Sequence, residues 1–354
     1  MKALILAGGA GTRLRPITYT NAKQLVPVAN KPVLDYGLEA MRDAGITDVG
    51  IVVGPTHAEI EDHVGDGSRW GLRVAFVHQP DPLGLAHAVL CAEDFLAGDD
   101  FVMYLGDNLL AGGIQGFVKH FQQQRPTAQI LLAHVSNPQE FGVAALDAAG
   151  RVVALEEKPA EPPSDLALVG VYLFTSAILD AAKAIRPSAR GELEITDAIQ
   201  QLIDAGARVE SQVVSGWWKD TGKLEDLLEA NRIVLDTIER RVEGDLDTES
   251  LAQGKVVIES GAELVRSVVR GPAVIAAGAR IIDSYVGPYS AVDAGCEVRA
   301  SEIEHAILLA DTVVTDVRRI EDSLIGRGST VVYQEQRPRA YRLMVGDHSH
   351  VGLV

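Results

Sequence analysis

Short apolar runs alternate with helix-like patterns over residues 1–240. Such runs are typical of buried strands, and apolar residues at every third or fourth position indicate helices between them. The predicted strands cover residues 3–6, 49–53, 74–78, 101–105, 130–134, 152–156 and 169–174. The predicted helices include residues 33–44, 85–95, 194–205 and 224–241. This alternation predicts an α/β domain with a mostly parallel central sheet, in which ligands bind at the carboxyl ends of the strands.

The pattern changes at Ile258. From there to Leu309, aliphatic residues recur in steps of five or six, and after Thr315 the series resumes at Ile320. A repeat near six residues is typical of a parallel β-helix, in which three short strands make one turn and the aliphatic residues stack inside. Residues 258–331 would then form about four coils. A run of ordinary short antiparallel strands is the alternative.

These two patterns divide the chain into four parts. We predict a first domain over residues 1–240, a linker over 241–257, the β-helix over 258–331 and a tail over 332–354. The tail is polar and basic, and a solenoid needs a cap at its open end. We therefore regard the tail as a candidate cap for the coil.

The composition argues against nucleic acid and membranes as partners and favours a reducing compartment. The formal charge is −17, which repels nucleic acid and argues against it as a partner. No stretch approaches the ~20 apolar residues that a membrane-spanning helix needs, so we expect no membrane contact. The two cysteines, Cys91 and Cys296, form no disulfide or zinc pattern, which favours a cytoplasmic protein.

The first predicted strand leads directly into a glycine loop. Gly8, Gly9 and Gly11 allow the backbone to turn sharply and approach a ligand, and successive N–H groups form an anion-binding concavity. Arg13 adds a planar cation suited to phosphate oxygens, and Lys23 adds a compact one. This arrangement predicts a nucleotide phosphate site, with a simple tight turn as the alternative.

Four further candidate sites follow predicted strands or precede a helix. Asp107 ends the strand over 101–105, where it could hold Mg²⁺ together with substrate phosphates, although Gly-Asp-Asn also suits a turn. Lys158 and Glu157 could bind a sugar phosphate and sugar hydroxyls, or form a surface ion pair. Asp220, just before a predicted helix, is a second candidate carboxylate. The amide of Gln79 could pair with a pyrimidine edge.

Taken together, the motifs match a known family. The chain resembles the sugar nucleotidyltransferases, and within them the glucose-1-phosphate thymidylyltransferases of the long form. The matching segments occur in family order: LAGGAGTRL (6–14), KQLVPV (23–28), GDGSRWGL (65–72), QPDPLGLA (79–86), LGDN (105–108), FGV (141–143), LEEKP (155–159), RGELEITD (190–197) and WKDTG (218–222). The resemblance implies a Rossmann-like nucleotidyltransferase domain followed by a left-handed parallel β-helix.

The resemblance also implies a role for each matching residue. It implies three catalytic cations, Arg13, Lys23 and Lys158. It implies that the nucleotide is bound by Leu6, Gly8, Gly9, Gly11, Thr12, Arg13, Gln79, Gly84 and Asp107. It implies that the sugar phosphate is bound by Asn108, Gly142, Glu157, Lys158, Val169, Tyr172 and Arg190. The metal ligands would be Asp107 and Asp220, with Mg²⁺ as the cofactor.

The implied reaction transfers a thymidylyl group from dTTP to glucose 1-phosphate. The products are dTDP-glucose and pyrophosphate, and the reaction is the first step toward dTDP-deoxysugars. A homo-oligomer, such as a tetramer, is also implied. The sequence departs from the short forms at Leu83, His87 and Lys219, which bears on base and sugar selectivity. The alternatives are a UTP-dependent uridylyltransferase acting on glucose or N-acetylglucosamine 1-phosphate, and a non-catalytic regulatory subunit.

Overall fold

A nine-stranded sheet organises the N-terminal part of the computed structural model, which describes residues 1–9, 11–19 and 21–333. The chain divides into two units. The first unit contains Met1–Gly11, Asn21–Val26 and Pro32–Gly222, and the second contains Thr12–Thr20, Pro27–Lys31 and the chain from Lys223 onward. Apart from its first two residues, the predicted tail over 332–354 lies outside the described residues.

The sheet and its helices come from the first 240 residues. In chain order the strands are β1 (Lys2–Leu6), β2 (Pro27–Val28), β3 (Lys31–Pro32), β4 (Asp48–Val53), β5 (Arg73–His78), β6 (Phe101–Leu105), β7 (Asn108–Leu110), β8 (Ala128–His134), β9 (Gly142–Leu146), β10 (Val152–Glu157), β11 (Leu166–Phe174), β12 (Val209–Val213) and β13 (Trp218–Asp220). The helices are α1 (Val33–Asp43), α2 (His57–Val64), α3 (Leu85–Cys91), α4 (Glu93–Leu96), α5 (Gln115–Gln124), α6 (Ala177–Ala184), α7 (Ile195–Asp204) and α8 (Leu224–Leu235).

The main sheet has the strand order β10-β9-β11-β6-β1-β4-β5, and β8 joins it through β11. Strand β1 lies parallel to both β4 and β6, and β5 lies parallel to β4. Around β11 the pairing becomes antiparallel, with β8 on one side and β6 and β9 at different positions along the other. The α/β fold class is confirmed. The parallel half places the loops after β1, β5 and β6 at one edge of the sheet.

Both faces of the sheet are buried. Leu4 of β1 packs with apolar residues of α3, α6 and α7, whereas its neighbours Ala3 and Ile5 pack with those of α1, α2 and α5. Successive side chains of a strand point to opposite faces, which explains why these strands are apolar throughout rather than alternating. The first unit is therefore a three-layer α/β/α arrangement.

Two predicted helices differ from the observed ones. The helix predicted over 85–95 is divided at Ala92 into α3 and α4. The helix predicted over 224–241 ends at Leu235, because the Thr237 hydroxyl donates to the Val234 carbonyl at 2.7 Å and competes with the helical hydrogen bonds. The chain then enters a β-strand at Arg241.

The second unit is built around a coil of parallel strands. These are β14 (Arg241–Val242), β15 (Asp245–Leu246), β16 (Leu251–Gln253), β17 (Val256–Ile258), β18 (Glu263–Val265), β19 (Val268–Arg270), β20 (Ala273–Ile275), β21 (Arg280–Ile282), β22 (Tyr285–Val286), β23 (Ser290–Val292), β24 (Glu297–Arg299), β25 (Glu302–Leu308), β26 (Val313–Thr315), β27 (Ile320–Ile325) and β28 (Thr330–Val332). The described pairings between them are all parallel, which fits the predicted left-handed β-helix.

The coil already contains strands in the stretch from 241 to 257, where the sequence pattern predicts a linker. Strand β14 pairs with β17, and β15 pairs with β18. The aliphatic side chains of successive coils form the interior, as the repeat predicts. One corner is formed by Gly261, Gly278 and Gly295, each with a positive φ that glycine adopts without steric cost.

A column of buried serines connects successive coils. The Ser250 hydroxyl accepts a hydrogen bond from the Ser267 backbone N–H at 3.0 Å. The Ser267 hydroxyl accepts one from Ser284 at 3.1 Å, and the Ser284 hydroxyl accepts one from Ser301 at 3.1 Å. Each step is 17 residues, so one hydroxyl at each level satisfies a buried backbone donor of the next coil.

None of the helices in the described part of the chain has the length and apolar content that crossing a membrane requires. Both cysteines are free thiols, as predicted from their spacing. Burial raises the pKa of the Cys296 thiol to about 11, so it acts as a packing residue within the coil.

We predict that Ser267→Ala destabilises the coil. The substitution leaves the Ser284 N–H buried without its acceptor, which should cost about 1–3 kcal/mol of unfolding free energy. Urea denaturation followed by circular dichroism measures the loss. Ser323→Ala is the control, because the Ser323 hydroxyl donates to the Glu321 carbonyl at an exposed position. Equal midpoints for the two variants would contradict the role of the serine column.

Candidate active site

The glycine loop, Lys23 and Asp107 meet at the edge of the parallel half of the sheet. A Cβ atom on Gly9 would lie only 3.1 Å from Lys23 Cε, so the absence of a side chain lets the lysine lie across the loop. The Lys23 ammonium forms an ion pair with the Asp107 carboxylate, and both side chains are largely buried. Gly106, which precedes Asp107, lies close to the backbone of β1. A Cβ atom added there would lie 3.0 Å from the Leu6 carbonyl oxygen, so glycine allows the two backbones to approach each other.

A short two-stranded ladder brings the second predicted carboxylate to the same place. Strands β7 and β13 pair antiparallel, with Asp220 opposite Asn108. The Thr221 backbone N–H and hydroxyl both donate to the Asp107 carbonyl oxygen, at 3.0 and 2.8 Å. Asp107 directly precedes β7 and Asp220 ends β13, so the ladder holds the two carboxylates at the same place although 113 positions separate them in the sequence.

The Asp107 carboxylate is kept ionised. Burial alone would raise its pKa, but the Lys23 ammonium and a hydrogen bond from the Asn108 side-chain amide at 3.0 Å outweigh burial and lower it. An ionised carboxylate next to a second one is the donor chemistry that a hard divalent cation binds. The residues at this position thus fit a divalent metal.

Asn108 is fixed by its neighbours on three sides. Its side-chain oxygen accepts from the Trp218 indole at 2.6 Å and from the Gly170 backbone N–H at 3.3 Å. The Tyr104 hydroxyl donates to its backbone carbonyl at 2.8 Å. Asn108 is 1% exposed, so its orientation is set before any ligand binds.

The predicted base-binding loop lies against the glycine loop. The Gln79 amide nitrogen donates to the Gly84 carbonyl at 3.2 Å and lies 3.1 Å from His87 Nδ1. Its amide oxygen would be 3.1 Å from a Cβ on Gly8, so the Gln79 side chain faces this glycine. Gly84 has φ +105°, and a Cβ there would collide with Leu193 at 2.5 Å. Glycine is therefore required at that turn.

A second polar cluster surrounds Glu157 at the end of β10. Its carboxylate lies 3.7 Å from Lys158 Nζ and 3.2 Å from the Arg190 guanidinium. The Thr196 hydroxyl donates to it at 3.4 Å, and Gly142 lies opposite it in the β9–β10 pair. Lys158 has φ +46°, which is unusual for a lysine and frequent at functional sites.

In this second cluster, burial and the neighbouring cations have opposite effects on the Glu157 carboxylate. Burial raises the pKa of Glu157, although Lys158 and Arg190 partly offset the effect. Arg190 also pairs with Glu192 at 3.0 Å and Glu194 at 3.4 Å. Burial, and to a lesser degree Glu157, raises the pKa of the Tyr172 hydroxyl, which therefore stays protonated as a donor.

Comparisons with known proteins identify the family. The family model for nucleotidyl transferases matches residues 2–237. Glucose-1-phosphate thymidylyltransferases from Streptomyces antibioticus and Streptomyces griseus are each 58% identical, and the alignments cover 99% of this chain and 99% and 98% of theirs. The chain belongs to the nucleotidyl transferase family.

A solved structure supports the same assignment. A crystal structure from Bacillus anthracis, described as a glucose-1-phosphate thymidylyltransferase in complex with sucrose, is similar with a TM-score of 0.64 and 36% identity. It covers 68% of this nucleotidyltransferase and 98% of its own chain. The two Streptomyces relatives align over nearly the whole chain, so they share the C-terminal region too, as predicted for the long form.

The structure brings most predicted residues of this nucleotidyltransferase into the two clusters, but some lie elsewhere. Leu6 and Val169 are buried in the hydrophobic core, so only their backbone groups are available to a ligand. Thr12 and Arg13 are exposed in a short 3-10 helix, Thr12–Leu14, that belongs to the second unit. Their part in nucleotide binding stays a prediction. Gly11 has φ +62°, as expected for a tight loop.

Sequence analysis missed three residues that shape the site: Gly170, Thr196 and Trp218. Gly170 lies where the β8–β11 register shifts, and a Cβ there would be 2.7 Å from the Asn108 side-chain oxygen. A glycine inside an apolar strand signals such a close approach and could have identified it. Trp218 lies within the WKDTG motif, which assigns it no role, yet its indole N–H donates to the Asn108 side chain.

We predict that Glu157→Gln stabilises the protein increasingly as the pH rises. Because the folded pKa of Glu157 lies above its ordinary 4.5, the wild type loses stability as the pH rises through that raised pKa, and the neutral amide does not. Thermal unfolding measured between pH 4.5 and neutral should give a growing Tm advantage for the variant.

Glu210→Gln is the matched control. Burial raises the pKa of Glu210, but hydrogen bonds from His120 and Arg208 outweigh burial and lower it. Its carboxylate therefore stabilises the fold above the ordinary pKa, and this variant should have a lower Tm at neutral pH. A Tm difference for Glu157→Gln that shrinks toward neutral pH would contradict the argument.

Proposed function

We propose that this nucleotidyltransferase transfers a thymidylyl group from dTTP to glucose 1-phosphate and releases dTDP-glucose and pyrophosphate, with Mg²⁺ as the metal. The observation that carries the proposal is the junction of the glycine loop, the buried Lys23–Asp107 pair and Asp220. The relatives that align over the full chain are thymidylyltransferases, which supports this choice of substrates.

The nucleotide side of the proposal uses the glycine loop and Gln79. Gly8 and Gly9 have no side chains, so the Gln79 amide and the Lys23 ammonium can lie directly against the loop, and Lys23 supplies a positive charge there. The Gln79 amide nitrogen faces the Gly84 carbonyl and His87 Nδ1, so its oxygen is the group that can accept a hydrogen bond from the edge of a pyrimidine. In the same proposal Arg13 and Thr12 contact the phosphates, as the LAGGAGTRL motif implies.

The sugar side uses the cluster around Glu157. Its carboxylate can accept hydrogen bonds from sugar hydroxyls, and Asn108, Gly142 and Tyr172 complete the pocket in this proposal. Lys158 is 42% exposed and Arg190 is 40% exposed, so both can reach a phosphate from the surface. Their present partners are carboxylates, so binding of a sugar phosphate exchanges one anion for another.

Asp107 and Asp220 would hold Mg²⁺ with the nucleotide phosphates. When bound, the metal supplies positive charge that offsets repulsion between the two anionic substrates and stabilises the charge that develops on the leaving pyrophosphate. The lowered pKa of Asp107 keeps its carboxylate available for this role at neutral pH.

The chain's own residues act by positioning and by charge. The nucleophile is an oxygen of the sugar 1-phosphate, already an anion, so no side chain has to remove a proton. Lys158 and Arg190 hold that phosphate, while Lys23 and the loop hold the α-phosphate for in-line attack. The same proposal includes a cytoplasmic homo-oligomer, as the resemblance and the cysteine content imply.

The test is pyrophosphate release with Mg²⁺, combining dTTP or UTP with glucose 1-phosphate or N-acetylglucosamine 1-phosphate. We expect preferred turnover of dTTP with glucose 1-phosphate and loss of turnover with EDTA. Preference for UTP would overturn the choice of base, and His87, which contacts Gln79, would then be the first residue to exchange. No turnover with any pair would favour a regulatory subunit.

We predict that Asp107→Asn and Asp220→Asn each reduce kcat on the order of 10²–10³-fold, because each removes a charge from the metal-binding position. Steady-state kinetics over a range of Mg²⁺ concentrations measures this, and both variants should need more Mg²⁺. Asp165→Asn is the control, since Asp165 pairs with His134 at an exposed position. A normal rate and normal Mg²⁺ dependence in both variants would contradict the metal role.

A further inference from the structure

Two imidazoles and a carboxylate meet beside the base-binding loop, outside the groups used above. His57 Nδ1 lies 3.3 Å from Glu61 Oε1, and His78 Nε2 lies 3.4 Å from the same oxygen. One ligand atom from each residue lies within 4.8 Å of the others. In the described part of the chain, no other three histidine, cysteine or carboxylate side chains come together in this way.

The fold holds these three side chains on rigid elements. His57 and Glu61 lie one turn apart on α2, so they share a helix face. His78 ends β5 and pairs with Val53 of β4, and the His57 N–H donates to the Gly54 carbonyl at 3.0 Å. Both ends of the cluster are therefore attached at the end of β4, to Val53 and to Gly54, which follows it.

The spacing of the ligand atoms fits a tetrahedral metal. Zinc binds imidazole nitrogen and carboxylate oxygen at about 2.0–2.2 Å, which places neighbouring ligand atoms of a tetrahedron about 3.3 Å apart. The two measured distances to the glutamate oxygen are 3.3 and 3.4 Å. The two imidazole rings are edge-on, with centroids 4.9 Å apart, so they do not stack and their nitrogens can converge.

We propose that His57, Glu61 and His78 bind a transition-metal dication of the Zn²⁺ class. Imidazole nitrogen favours Zn²⁺, Co²⁺ and Ni²⁺ over Mg²⁺, which prefers oxygen ligands, so this site is chemically distinct from Asp107 and Asp220. His78 is exposed, which leaves a fourth position open to water. Three protein ligands plus water is a common zinc arrangement.

A metal here would connect two elements that border the nucleotide site. His78 directly precedes Gln79, whose N–H donates to the Val53 carbonyl at 2.9 Å. On the same helix, the Glu59 carboxylate accepts from the Ala22 N–H at 2.6 Å, next to Lys23. Binding to the folded state alone stabilises it, so the metal should raise the Tm.

The test uses the full-length protein, stripped of metals and kept in excess Mg²⁺ so that the carboxylate site is occupied. Calorimetric titration with Zn²⁺ measures binding, and visible absorption with Co²⁺ reports tetrahedral coordination. We expect one ion bound by His57, Glu61 and His78, with affinity more than about tenfold weaker in His57→Ala, His78→Ala and Glu61→Gln. The Tm increase with Zn²⁺ should disappear in the same variants.

Two controls separate this site from other histidines. His134→Ala removes a histidine that pairs with a single carboxylate, Asp165, and should leave binding unchanged. The C-terminal sequence contains His348 and His350, so the variant His348→Ala/His350→Ala should also retain this ion. Loss of binding only in the C-terminal variant, unchanged binding in His57→Ala, or no binding in the wild type would each overturn the proposal.

The metal proposal is independent of the proposed reaction. Turnover with Mg²⁺ is measured on each variant, and His57→Ala and Glu61→Gln should keep it, because neither residue belongs to the substrate clusters. Loss of the Zn²⁺ ion with full turnover supports the site. Retained Zn²⁺ binding in these variants contradicts it, whatever the turnover.

Discussion

Two strands of three residues each, β7 and β13, join chain segments whose contact residues Asn108 and Trp218 are 110 positions apart. This pairing fixes the carbonyl of Asp107 through Thr221 and the side chain of Asn108 through Trp218. Both proposed metal ligands and one wall of the proposed sugar pocket depend on it. The rest of the catalytic unit supports this short ladder, because the large parallel sheet holds β6 and the loop before β7 rigidly in place.

The net negative charge of the chain explains why its candidate phosphate-binding cations are few and individually placed. A chain with a net charge of −17 can hold phosphates only through a few placed cations. The structure pairs these cations with carboxylates: Lys23 with Asp107, and Arg190 with three glutamates. Each cation is thus held in place by a carboxylate that partly balances its charge, and in the proposed reaction an anionic substrate replaces or joins that carboxylate. Weak surface attraction alone would not select two anions and hold them side by side.

The elements that depend on a local hydrophobic pattern could be predicted from the sequence. The strand over 101–105 matches β6 because its residues are apolar throughout, and Asp107 follows it as expected. The 17-residue period of the coil is visible in the steps of five and six residues. The proposed Mg²⁺ ligands Asp107 and Asp220 could be identified because each occurs in a sequence motif, although the sequence does not show that they lie close together.

Other features depend on which distant segments of the chain pair with each other. A local sequence pattern does not predict such pairing. Gly170 contacts Asn108 across 62 positions, through a register shift in β11 that periodicity does not show. The helix at 224 was predicted too long, because the competing hydrogen bond of Thr237 acts against an otherwise helical pattern. The coil begins before the regular aliphatic series does. The sequence pattern misses this start because β14 and β15 are only two residues long, too short to show a period.

The serine column limits how the coil can change in length during evolution. Each serine serves the coil on either side of it, so insertion of a single residue would move the next serine out of line. It would also turn the following aliphatic side chains away from the interior. Insertion or removal of a whole 17-residue turn keeps both patterns intact. Complete turns are therefore the unit that preserves both patterns. A turn one residue shorter occurs after Ser301, where the serine column ends and the Val317 N–H donates to the Ser301 hydroxyl across 16 positions.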